Sequence, residues 1–128
     1  MASFIHKELS DKVLWAAFTV HNALGPGLLE SAYEEALCVE LAHLGLAFER
    51  QQVFPLAYRG EYVGAYIADL AVENTIILEL KSCRVLSPAM VAQIINYLYL
   101  SGLLFGFLLY FYGTRMEWKR FFSGVPTG

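Results

Sequence analysis

The sequence predicts a single α/β domain, a mixed sheet flanked by helices. Three observations carry this. Two early segments space their apolar residues as helices do, three later runs alternate as strands do, and a capped helix then separates a third strand from a fourth. A chain of 128 residues fits one domain with a real core.

Ser10 and Asp11 mark a helix start, with Ser10 as N-cap. Val13, Leu14, Ala17, Val20 and Leu24 follow at helical spacing, so an N-terminal helix is expected over about residues 10–24. Gly25-Pro26-Gly27 ends it, because proline cannot continue a helix and glycine permits the turn. A second helix is expected from Leu29 to Leu44, with Tyr33, Leu37, Leu41 and Leu44 inward and Gly45 as its C-terminal cap. Phe48 to Tyr58 reads as a strand, irregular at Pro55. After the turn Arg59-Gly60, Glu61 to Val72 reads as its hairpin partner. Glu73-Asn74 turns the chain into a third strand, Thr75 to Lys81. Ser87-Pro88 opens a helix as cap and first residue, and Gly102 closes it. A fourth strand is expected over Leu103 to Tyr112, and a last one over Met116 to Phe122. The tail, residues 123–128, is expected to be disordered.

Hydrophobic residues make up 57% of the chain and charged residues only 16%, against about 25% in ordinary domains. Little surface is then strongly solvated, which predicts a homo-oligomer joined through an apolar face. The net charge of −3 excludes bulk electrostatic attraction to nucleic acid but not a local basic rim. Arg84, Arg115, Lys119 and Arg120 could form such a rim, but read first as solubilising charges. Two cysteines, Cys38 and Cys83, make neither a disulfide scaffold nor a zinc site, and suit a reducing cytosol. Residues Met1 to Lys7 lack the pattern of a secretory leader. Ile94 to Tyr112 carries no charge, but Ser101-Gly102 interrupts it, so a helix followed by a strand is expected rather than a membrane span.

The third strand carries the chemistry. Alternation puts Ile77, Glu79 and Lys81 on one face and Ile76, Leu78 and Leu80 on the other. Glu79 and Lys81 then stand about 7 Å apart at the end of a buried strand. Asp69, near the end of the preceding strand, would lie across from Glu79 in a hairpin. Two carboxylates beside a lysine suit Mg²⁺ and hydrolysis of a phosphodiester. Alone, the spacing favours a plain ion pair with Asp69 in a turn. Glu30 opens the second helix on the face of Tyr33 and Glu34, where the helix dipole by itself accounts for a carboxylate. Gln93 and Tyr97 share one face of the third helix with Asn96 beside it, facing either a site or solvent. His21, at the end of the first helix, reads as a packing or capping residue.

The order of these residues resembles a known family. Gly27-Leu28-Leu29-Glu30-Ser31-Ala32-Tyr33 matches the signature of the GxxExxY proteins. Gly25-Pro26, Glu49-Arg50-Gln51, Ala68-Asp69-Leu70, Glu79-Leu80-Lys81 and Gln93 with Tyr97 fit the same pattern, from about Val13 to Phe121. That family resembles the PD-(D/E)XK nuclease superfamily. The resemblance implies a restriction-endonuclease-like αβββαβ core. It implies Asp69, Glu79 and Glu30 as ligands of Mg²⁺ or Mn²⁺, Lys81 as catalytic lysine and Gln93 as the helix polar group. Ala68 stands in place of the proline of the superfamily name. The fourth strand ends Tyr110-Phe111-Tyr112, where relatives carry an asparagine-containing turn. The function implied is metal-dependent hydrolysis of DNA, in preference to RNA. The alternative is an oligomerising or partner-binding module that keeps the fold without catalysis.

Overall fold

The computed structural model describes residues 6–103 and 105–122. Its elements are α1 (Lys7–Leu24), α2 (Glu30–His43), β1 (Phe48–Tyr58), β2 (Glu61–Val72), β3 (Ile76–Lys81), α3 (Pro88–Ser101), β4 (Phe105–Tyr110) and β5 (Glu117–Phe122). The sheet is mixed and its five strands lie in chain order. β3 and β4 are parallel and every other neighbouring pair is antiparallel. The parallel pair needs a crossover, and α3 supplies it. Pro55 lies on β1, an edge strand, where its missing N–H costs least.

Helices α1 and α2 cover one face. Val13, Ala17, Tyr33, Leu37 and Leu41 pack there on Leu70, Val72, Ile76, Leu78, Leu80, Phe105, Phe107 and Leu109. The other face is smaller, with Leu98 of α3 on Tyr66, Ala68 and Ile77. The expected alternation along β3 therefore holds. The uncharged stretch from Ile94 divides into α3 and β4, since Gly102 takes the left-handed conformation at φ +75° that ends a helix. No helix among the described residues is long and apolar enough to cross a membrane.

The expected start of α1 needs correcting. The helix begins at Lys7, and Ser10 is not its cap but a buried residue one turn inside. Leu9 packs against the core and Lys7 pairs with Asp11 at 2.7 Å, so the extra turn has both an apolar anchor and an ion pair. The expected disorder of residues 123–128 lies outside the described residues.

Tyr33 ties the α1–α2 connection to the sheet. Its ring stacks on Phe111 at 4.5 Å, and its hydroxyl donates to Gly25 O at 2.6 Å and accepts from Leu28 N–H at 3.2 Å. His21 works beside it: Nε2 lies 3.2 Å from Phe111 O and 3.0 Å from Gly113 O, so Nε2 carries the proton, and this histidine packs as expected. Ser82 Oγ donates to Leu28 O at 2.9 Å, which brings the start of α2 against the exit of β3. Tyr33→Phe keeps the ring but orphans two backbone groups of this turn. It is expected to cost about 1–3 kcal/mol in urea unfolding; an unchanged midpoint would show that water replaces the hydroxyl.

Candidate active site

The turn at Glu73 and Asn74, both with positive φ, sets the β2–β3 register Val72↔Ile76, Ala71↔Ile77, Leu70↔Leu78. One step further the ladder opens, and there Asp69 and Glu79 meet. Asp69 Oδ2 accepts the Leu80 N–H at 2.8 Å, and the two carboxyl groups share a side-chain hydrogen bond. Glu79 is only 6% exposed, and the Tyr66 hydroxyl donates to its Oε1.

Burial, and then the adjacent Asp69 charge, push the Glu79 carboxyl up to about 8; Tyr66 and Lys81 oppose this. Burial also raises the Asp69 carboxyl, against the Leu80 N–H, the bond to Glu79 and the Lys81 charge. Two touching carboxyl groups out of water cannot both ionise without a cation. Glu79 therefore keeps a proton at neutral pH and donates it to Asp69. Lys81, half-buried on the same face, supplies positive charge to both. This donor set is all oxygen, which is what Mg²⁺ or Mn²⁺ takes. Mg²⁺ binds through one or two carboxylates and keeps several waters, so a pair suffices. Among the described residues no group of three or more His, Cys, Asp or Glu side chains converges as a metal site.

The other candidates are placed differently. Glu30, the first residue of α2, lies near the Lys81 end of β3 through the Ser82–Leu28 bond, but its side chain is exposed and makes no hydrogen bond or ion pair among the described residues. The helix carboxylate that raises Asp69 is Glu34, one turn on and 9% exposed. Glu34 Oε2 accepts from Arg50 Nε at 3.2 Å and Nη2 at 2.8 Å, and Oε1 from Gln51 Nε2 at 3.2 Å. Gln93 is exposed and, with Asn96, lines an open groove of about 480 Å³ along α3. The side chain of Tyr97 lies outside what the structure describes.

Tyr66 and Glu34 were not among the expected site residues. Strict alternation from Asp69 puts Tyr66 on the opposite face, so nothing local pointed to it. For Glu34 there was a signal, the polar trio Glu49-Arg50-Gln51 in a strand facing that helix.

The strand Lys81↔Tyr110 pairing carries the rim of the site. Tyr110 donates its hydroxyl to Arg84 O at 2.9 Å and also to Cys83 O, which holds the loop leaving β3 against β4. Tyr110 opens the aromatic run that stands in this chain in place of the asparagine-containing turn of the resembled family.

Comparison with known proteins agrees with this fold. A family model described as the PD-(D/E)XK nuclease superfamily matches residues 7–121. No curated protein matches the chain. Among solved structures, that of SSO0001 superposes with a TM-score of 0.55 and 16% identity, covering 97% of this chain and 63% of that one. This chain thus spans less than two-thirds of that protein's length. An alkaline exonuclease from Laribacter hongkongensis (LHK-Exo) superposes with a TM-score of 0.52 and 10% identity, covering 86% of this chain and 68% of that one. At such identities the likeness is one of fold, and the fold is restriction-endonuclease-like: α2, β1, β2, β3, α3 and β4 are the αβββαβ core, with α1 and β5 added.

Proposed function

This chain belongs to the PD-(D/E)XK nuclease superfamily, and on that premise we propose that it is a divalent-metal-dependent nuclease that hydrolyses phosphodiester bonds of DNA in preference to RNA. Within the superfamily we read it as a GxxExxY protein, from Glu30 and Tyr33 in their run. The observation that carries the proposal is the meeting of half-buried Asp69 with buried Glu79 where the β2–β3 ladder opens, with Lys81 on the same face.

Asp69 and Glu79 would hold Mg²⁺ or Mn²⁺, with Glu30 closing the site from the helix side. The bound cation would polarise the phosphate and make water more acidic. Asp69 is anchored by the Leu80 N–H and Glu79 by the Tyr66 hydroxyl, so both carboxyl groups would stay in place as a cation took over from their shared proton. Lys81 orients or deprotonates the attacking water, or stabilises charge developing on the phosphate. Gln93 approaches the substrate from α3.

The test uses labelled single- and double-stranded DNA and RNA with the wild-type protein. Cleavage in Mg²⁺ or Mn²⁺, absent in chelator, is expected. Equal traces with and without chelator would remove the metal-dependent reading.

A second reading concerns assembly. The β1–β2 arm leaves Val53, Tyr58, Tyr62, Val63 and Ile67 exposed, and Val53 and Ile67 are cross-strand partners. Exposed large apolar side chains gathered on one hairpin mark an interaction surface. We therefore propose a homo-oligomer joined through this arm, in the cytoplasm. Light scattering is expected to give a mass above 14.4 kDa that Ile67→Lys reduces. A monomer at all concentrations would exclude it.

A further inference from the structure

The hairpin that delivers Asp69 turns over at one residue. Along an undisturbed strand, residues of equal parity share a face. In β1, Phe48 packs under the two helices whereas Phe54 and Leu56 pack on the opposite face. In β2, Leu70 and Val72 lie on the helix side whereas Tyr66 and Ala68 lie on the other. The pairing keeps its register across this change, Arg50↔Leu70 then Gln52↔Ala68, so both strands turn over together. The skipped position is Gln51, across from Asp69.

Gln51 has φ +52°, the left-handed region. A glutamine occupies it only when its surroundings over-determine it. Those surroundings are Glu34. Its carboxylate accepts from the Arg50 guanidinium and from the Gln51 amide, at the turnover itself and one residue before it. Glu34 is thereby saturated by donors on β1, which suits a positioning role rather than that of a ligand. The consequence reaches Asp69: the hairpin sets it across from Glu79, and at the break in alternation its Oδ2 enters the gap of the ladder and accepts the Leu80 N–H.

We propose that Glu34, acting through Arg50 and Gln51, is the positioning residue of the site: it holds Gln51 left-handed, and so turns β1 and β2 over and aims Asp69 at Glu79. The inference rests on the reading of Asp69 and Glu79 as the pair that takes the cation, and its test separates the two. Gln51→Val is disfavoured at positive φ, whereas Gln51→Gly adopts it freely. Mn²⁺ affinity, read by electron paramagnetic resonance, is expected to fall about tenfold in Gln51→Val and in Glu34→Gln, and to stay within about twofold in Gln51→Gly. In the Gln51→Gly background, Glu34→Gln should add little, because glycine no longer needs holding.

Hydrogen exchange at the Leu80 amide in metal-free protein is the second readout. It is expected to quicken about tenfold in Gln51→Val and Glu34→Gln. Leu80 exchange unchanged in both variants would overturn the positioning role. If the wild type binds no Mn²⁺, the cation reading fails, and Leu80 exchange still decides the positioning one. Should Gln51→Val not fold, Glu34→Gln with and without Gln51→Gly gives the same decision.

Discussion

Glu79→Gln is expected to lower metal-dependent cleavage at least about a hundredfold and, in the same protein, to raise the melting temperature of the metal-free form at pH 8. The two effects have one cause. Glu79 is buried against Asp69, and its carboxyl is pushed up to about 8, so ionising it is unfavourable until a cation arrives. Glutamine has nearly the same shape. Its carbonyl can accept from the Tyr66 hydroxyl and its amide can donate to Asp69, which reproduces the protonated acid but cannot become an anion. Lys81→Met should lower single-turnover cleavage by about a hundredfold or more without the gain in stability. Cleavage that survives in Glu79→Gln would place the chemistry elsewhere. A fall in its metal-free melting temperature at pH 8 would show that Glu79 is already ionised.

The stability of the metal-free protein is expected to fall as pH rises. Glu79 has an ordinary value of 4.5 and is raised to about 8 in the fold, so between those limits the folded state keeps a proton that the unfolded state has released. Stability is then full below about pH 4.5 and is lost as pH climbs through about 8. Asp69 is raised as well and acts in the same direction. At about 1.4 kcal/mol per unit the loss amounts to a few kcal/mol, large against the net stability of a small domain. Mg²⁺ or Mn²⁺ should reverse it, because a cation replaces the shared proton and its affinity rises as that proton leaves. Urea unfolding at pH 5 and pH 8, each in chelator and in Mn²⁺, measures this. A metal-free midpoint independent of pH would mean that the pair is solvated. A metal effect as large at pH 5 as at pH 8 would place the cation on other groups.

Some of the molecule was legible in its sequence because the physics involved is local. Alternation separated Glu79 and Lys81 from Leu78 and Leu80. Ser87-Pro88 announced α3, where Ser87 Oγ accepts from Met90 N–H at 3.2 Å. The turns at Arg59-Gly60 and Glu73-Asn74 gave both hairpins. The start of α1 was misjudged because Ser10 has the side chain of a cap, whereas contacts of Leu9 with the core, remote in sequence, extend the helix to Lys7.

The trio Asp69, Glu79 and Lys81 was thus determined by sequence: a period of two and a hairpin suffice to bring them to one strand end. Which helix carboxylate stands over Asp69 was decided only by tertiary structure. Glu30 and Glu34 lie one turn apart on α2, and no local rule separates them; the Arg50 guanidinium and the left-handed Gln51 do. Glutamine carries no signal for positive φ. Nor does alternation predict that Tyr66 reaches Glu79, since it assumes a strand that never turns over. Both features depend on β1, β2 and α2 meeting, and that meeting is settled by packing between segments far apart in the chain.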